Sequence, residues 1–169
     1  MNVIVVDGYN VIGAWEELKR LKEKDMSQAR DRLIEKMAEY QSFTNQRVIV
    51  VFDAYFVKGL ANKYNESKVE VIYTKEKETA DECIERIVKD LKNVDNQVYV
   101  ATSDYAEQRT IFGRGALRKS ARELFIELKN IEMEIEESID QYTKEKPQRK
   151  ILLEKDILET FEKWRRGDK

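Results

Sequence analysis

Four short β-branched runs, set apart by stretches long enough for a helix, constrain this chain more than any other feature. Asn2 to Val6, Arg47 to Phe52, Val69 to Tyr73 and Gln97 to Ala101 are apolar, and each is followed by polar or turn residues. Runs of that length and character read as strands buried on both faces. Between them, Gln28 to Phe43 repeats Ala29, Leu33, Met37 and Tyr40 at helical spacing, and Thr79 to Leu91 does so with Ala80, Cys83, Ile84, Ile87, Val88 and Leu91. Parallel neighbours need a crossover, and crossover helices cover both faces of a sheet. The pattern therefore predicts an α/β fold with a central, mainly parallel β-sheet flanked by helices.

Two helix starts carry capping-box spelling, Thr79-Ala80-Asp81-Glu82 and Ser120-Ala121-Arg122-Glu123, with a hydroxyl residue three positions before a glutamate. The first puts Asp81 in the opening turn of its helix. The second helix is expected from Ala121 to about Tyr142, stopping before Pro147, the single proline. Ile151 to Trp164 reads as a last amphipathic helix. At 169 residues the chain suits one core, with a domain over 1–145 and a helical extension over 146–169 packed on it.

Composition narrows the chemistry. The sequence has no histidine, which removes the commonest general base, the Ser-His-Asp and Cys-His arrangements and every histidine-ligated metal site. Its one cysteine, Cys83, excludes an intramolecular disulfide and a multi-cysteine zinc site, and suits a reducing compartment. Neither the GxGxxG nor the P-loop spelling occurs, so dehydrogenase and P-loop readings fall away. Carboxylates, lysine, arginine, tyrosine or metal-activated water must carry any reaction. No apolar run reaches the roughly 18 residues of a membrane span, and Val3 to Val6 is too short for a signal-peptide core. A cytoplasmic protein without a membrane partner is expected, with a monomer favoured.

Three of the strands run into aspartate: Asp7 and Asp53 directly, and Asp104 through Thr102-Ser103. In a parallel sheet the carboxyl ends of the strands share one rim, where ligands bind. Asp81, opening the helix after the third strand, joins that rim. Singly, each aspartate has an ordinary structural use: Asp7-Gly8 is a turn dipeptide, and Asp104 can serve a helix start. Turn chemistry gives no reason for all of them to fall at one rim. Gathered carboxylates repel one another and resist ionisation unless a cation sits among them. Oxygen ligands without histidine or thiolate favour Mg²⁺ or Mn²⁺, ions that activate water and neutralise charge on a phosphoryl group.

Val6-Asp7-Gly8-Tyr9-Asn10-Val11-Ile12 resembles the opening motif of the NYN group of PIN-like nucleases. Val51-Phe52-Asp53-Ala54, Thr79-Ala80-Asp81 and Thr102-Ser103-Asp104 are similar to its later motifs in the same order. With the Phe112-Gly113-Arg114-Gly115-Ala116 loop before a Ser120-Ala121-Arg122-Glu123-Leu124 helix, they resemble the YacP-like branch, over Asn2 to about Leu128. The resemblance implies a PIN-like three-layer fold and endoribonuclease activity, with Asp7, Asp81 and Asp104 as catalytic metal ligands. It further implies that Asp53 supports the cluster, that Asn10 helps hold substrate or the ligand geometry, and that the protein acts in mRNA decay on ribosomes.

With 31 Lys+Arg against 33 Asp+Glu, the overall field does not draw the chain to a polyanion, so any RNA grip must be local. Arg109, Arg114, Arg118, Lys119 and Arg122 cluster beside Asp104 in sequence, and Arg114, between two glycines, is the choice for a forked phosphate contact. For Arg118, Lys119 and Arg122, solvated helix charges are an equal reading. Tyr9 and Tyr105 are candidates to stack bases, although core packing is the commoner fate of a tyrosine. The 54–68 segment is longer than a usual connection and carries Lys58, Lys63 and Lys68 among aromatic residues, which suits docking on the ribosome or RNA.

Two other readings stand beside this one. A phosphatase or 5′ nuclease uses the same rim chemistry, but Asp7-Gly8-Tyr9-Asn10 lacks the second aspartate of a haloacid-dehalogenase-like opening. A non-catalytic RNA- or ribosome-binding module on the same fold is the alternative from a different class.

Overall fold

The computed structural model describes residues 1–54, 69–92, 95–103, 115–145 and 165, with the backbone alone for 142–145. In chain order the elements are β1 (Asn2–Asp7), α1 (Gly8–Ala14), α2 (Glu16–Lys24), α3 (Met26–Thr44), β2 (Arg47–Phe52), β3 (Glu70–Tyr73), α4 (Ala80–Leu91), β4 (Gln97–Ala101), β5 (Leu117–Lys119) and α5 (Ala121–Glu145). The strands form one sheet in the order β3-β2-β1-β4-β5, and every neighbouring pair among the described residues is parallel.

β1 is the central strand, and its Val3, Ile4, Val5 and Val6 are fully buried because helices cover both faces. On one face, Cys83, Ile84, Ile87 and Val88 of α4 share a core cluster with Val3, Val5, Ile49, Val51, Val98 and Val100. Alternation along the strand sends Ile4 and Val6 to the other face, where α1 and α3 contribute the buried Val11, Ile12, Leu33 and Met37. Trp15, buried at the elbow between α1 and α2, donates its indole N–H to the Ala121 carbonyl at 2.8 Å and so ties that elbow to the start of α5.

All four expected strands are present, but β3, at the edge of the sheet, has Glu70 exposed and Val71 to Tyr73 half-buried, so it is not covered on both faces as expected. The two helices expected between them are present too, the first extended to Met26–Thr44 and the second with Thr79 as its N-cap. The sequence reading did not anticipate α1, α2 and β5. Met1–Lys129 forms one compact unit and Asn130–Lys169 another, a division that falls within α5. The expected helix over 151–164 and the segment 55–68 lie outside the described residues.

Candidate active site

The chain leaves β1 toward β2 and β3 on one side, while β4 and β5 stand on the other, so the strand order reverses between β1 and β4. In open parallel sheets that reversal opens a crevice at the carboxyl ends of the strands. Asp7, the last residue of β1, lies at this point. It is level with Val51 of β2, two residues before Asp53. On the other side Val6 is level with Ala101, after which Thr102 and Ser103 lead to Asp104.

Asp7 is only 7% exposed, and although it occupies the N-cap position of α1, its side chain makes no capping hydrogen bond. Asp25 illustrates the structural alternative: at the N-cap of α3 its carboxylate accepts from the Ser27 N–H at 2.9 Å. At α4 the cap is Thr79, whose hydroxyl accepts from the Glu82 N–H at 3.2 Å, leaving Asp81 exposed in the first turn. Neither Asp7 nor Asp81 is therefore accounted for by capping.

Asn10, half-buried in α1, reaches across the crevice. Its Oδ1 accepts a hydrogen bond from the backbone N–H of Ser103 at 2.7 Å. The opening motif thus holds the segment that enters Asp104.

The ground beneath the rim is aromatic and tightly packed. The Phe52 ring lies 5.2 Å from Tyr9 and 5.9 Å from Tyr73, centre to centre. Gly8 fits against that ring, since a Cβ at Gly8 would collide with it and come within 3.0 Å of the Val51 carbonyl oxygen. Tyr9 is half-buried, and its hydroxyl accepts from Nη1 of the buried Arg30 at 3.3 Å. The exit of β2 is pinned as well: the Thr74 N–H donates to the Phe52 carbonyl at 3.0 Å, and the Ala54 N–H to the Thr74 hydroxyl at 2.9 Å. That leaves the half-buried Asp53 on a fixed backbone.

The turn leading into α4 is organised by Glu78, whose carboxylate accepts from the Lys75 N–H at 3.0 Å and from Arg86 Nε at 3.1 Å. The Lys75 amide, and after it the Arg86 guanidinium, hold the Glu78 carboxyl below its ordinary value, against the opposing pull of burial. This support for Asp81 was not foreseen, and neither were the Trp15 tie and the Arg30 contact. A glutamate three residues after a lysine and eight before an arginine carries no distinctive spelling.

Of the remaining expected site residues, Asp104, Tyr105 and Arg114 lie outside the described residues, as do Lys58, Lys63 and Lys68. Lys119 is engaged locally, with Glu127 at 2.8 Å and the Tyr40 hydroxyl at 3.4 Å. Among the described residues no three acidic, thiol or imidazole side chains gather closely enough to hold an ion by themselves. The donor chemistry at the rim nonetheless fits a hard cation. It consists of carboxylates, while the one thiol, Cys83, is buried in the core, where burial raises its pKa.

The family model of the YacP-like NYN domain matches residues 4–166. The chain belongs to the YacP-like NYN domain family. It is 60% identical over 168 residues to "Uncharacterized protein YacP" of Bacillus subtilis (strain 168), covering 99% of both chains. The crystal structure of Rae1 (YacP) from Bacillus subtilis is similar with a TM-score of 0.78 and 59% identity, over 99% of this chain and 96% of that one. The structure of its W164L mutant gives a TM-score of 0.76 and 54% identity over the same shares. NYN domains are a nuclease family, so a nuclease-type hydrolase related to RNA follows at that level. Among the described residues no helix is long and apolar enough to cross a membrane.

Proposed function

We propose that this YacP-like NYN domain is a divalent-metal-dependent endoribonuclease that cuts mRNA on the ribosome in the cytoplasm. One observation carries the reading: a nearly buried carboxylate, Asp7, ends the central strand at the point where the strand order of the parallel sheet reverses. Asp7, Asp81 and Asp104 would hold Mg²⁺ or Mn²⁺, with Asp53 in support. Bound there, the ion neutralises charge developing on the phosphoryl oxygens and lowers the pKa of water.

The chain's own residues supply the rest. Asn10 fixes the approach to Asp104 through Ser103. Arg114 is assigned the forked grip on phosphate, and Tyr9 and Tyr105 the stacking of bases. Without histidine, proton transfer at neutral pH falls to the rim carboxylates and ordered water.

The test is cleavage of a labelled mRNA by wild type, Asp7→Asn and Asp81→Asn with Mn²⁺ or Mg²⁺, against EDTA. Both variants should lose cleavage by about a thousandfold or more, since charge stabilisation is the largest catalytic term, while keeping their fold. Mn²⁺ at about a hundred times its Kd should stabilise wild type by about 2.7 kcal/mol, and the variants much less. Full activity in either variant at limiting Mg²⁺ would refute the assignment. RNA or ribosome binding without metal-dependent cleavage by wild type would leave a non-catalytic binding module.

A further inference from the structure

We propose that the cavity beside the end of β4 is a nucleotide subsite, taking one base and phosphate of single-stranded RNA next to the bond that is cut. This deepens the ribonuclease reading and rests on it. The cavity, of about 310 Å³, is lined among the described residues by Ala14, Trp15, Glu16, Ser103, Arg122 and Phe125. Its size is at the lower end of the roughly 300–1,000 Å³ of ligand pockets, room for a single nucleotide. Its position follows from Ser103, which lines the cavity while its N–H is held by Asn10 at 2.7 Å. The cavity therefore opens directly beside the segment that enters Asp104.

The lining combines an aromatic ring with a guanidinium. Phe125 is 36% exposed. Trp15 meets it edge-on at 5.8 Å, and the Lys129 ammonium stands 5.5 Å from its centre. Trp15 is in turn anchored on the Ala121 carbonyl, so the ring is held before any ligand arrives, which lowers the ordering cost of binding. Arg122 is exposed and enters no hydrogen bond or ion pair with the described residues.

A single exposed phenylalanine is ordinary. One sharing a cavity with an available guanidinium at a nuclease rim matches the two faces of a nucleotide, a base to stack and a phosphate to grip. Glu16 fixes the orientation: its carboxylate, 73% exposed and 3.4 Å from Arg20, disfavours phosphate on its own wall. The phosphate is left to Arg122 and the base to Phe125. An acidic peptide would use the guanidinium but not the ring.

The experiment measures binding of the full-length chain to a short fluorescent single-stranded RNA in EDTA, where nothing is cut, across a range of salt. Phe125→Leu keeps an apolar side chain against Trp15 but removes the π-face. It should weaken binding by about tenfold, with its melting temperature near that of wild type, and Phe125→Tyr should restore binding. Arg122→Gln should reduce the slope of log K against log salt by about 0.7, one phosphate contact on a single strand. Wild-type affinity in Phe125→Leu together with an unchanged slope in Arg122→Gln would overturn the subsite, whatever Asp7→Asn does. Weakened binding in Phe125→Leu, alongside full cleavage by Asp7→Asn, would refute the nuclease site and leave the RNA subsite standing. Loss of ribosome or protein binding in these variants, with no single-stranded RNA bound by wild type, would make the occupant a protein and overturn the proposal.

Discussion

The side-chain carbonyl of Asn10 accepts a hydrogen bond from the Ser103 amide at 2.7 Å, joining residues 93 positions apart across the point where the strand order reverses. One bond of this kind contributes about 1 kcal/mol net, which for a chain of this size is about 2–4 °C in Tm. Its effect on geometry should be larger, because Ser103 immediately precedes Asp104. Asn10→Ala is expected to lose only those few degrees in a thermal melt while cleavage falls by about tenfold or more. Wild-type cleavage by Asn10→Ala would show that the tie does not position the site.

Gly8→Ala tests the packing under Asp7. In an open helix the change would gain up to about 1 kcal/mol of propensity. Here the added methyl would meet the fully buried Phe52 ring, which packs against Tyr9 and Tyr73. Overpacking of this kind costs about 1–3 kcal/mol, so the clash wins and the variant should be less stable in denaturant titration. Cleavage should fall further than stability, because Asp7 and Tyr9 flank the substituted residue. A variant as stable as wild type would mean that Phe52 yields easily.

The parts of this fold that were legible in the sequence are those whose burial leaves a local trace. β1 and β2 each bury five of six residues and β4 buries Val98, Val100 and Ala101, so they spell out as β-branched runs. α4 shows its buried Cys83, Ile84, Ile87 and Val88 at helical spacing. In α1, seven residues with a glycine at the start and another inside are too short to display a period, and α2 buries only Leu18. β5, Leu117–Lys119, is an edge strand of three residues with no apolar face to read. The same division holds at the site. The positions of Asp7 and Asp81 were legible because a strand end and a helix start announce them. The bonds of Asn10 to Ser103 and Trp15 to Ala121, by contrast, join residues with no local relation.

The Glu78 carboxylate braces the turn before Asp81, and its lowered pKa links that brace to pH. The Lys75 amide, then Arg86, favour the ionised form in the folded chain. A depressed folded pKa gives stability that is fully present above the ordinary value of 4.5 and disappears as pH falls through the lowered one. Arg86 is 44% exposed, so screening keeps the effect small. Glu78→Gln should melt about 2–4 °C below wild type at pH 7, and the two curves should converge as pH drops below 4.5. A gap that persists in acid would assign the loss to shape rather than charge.

Cleavage is expected to be poor on free RNA and strong on translating mRNA. The net charge of −2 gives no long-range attraction to a polyanion. Lys119, one of the basic residues near Asp104 in sequence, is spent on Glu127 and Tyr40, which leaves a small local patch to hold substrate. A weak grip of that kind needs a second contact to raise the effective concentration of RNA at the rim. The 54–68 segment, with Lys58, Lys63 and Lys68 among Tyr55, Phe56 and Tyr64, has the composition for a nucleoprotein surface. Shortening it should impair ribosome binding and spare metal binding at the carboxylates. The measurement compares one transcript, free and translating, with wild type and with the shortened variant. Wild type should favour the translating RNA by about a hundredfold or more, the lower end of the gain that a second linked contact gives, and the variant should lose that preference. Equal rates on both RNAs by both proteins would make the segment and the ribosome irrelevant and leave an autonomous ribonuclease.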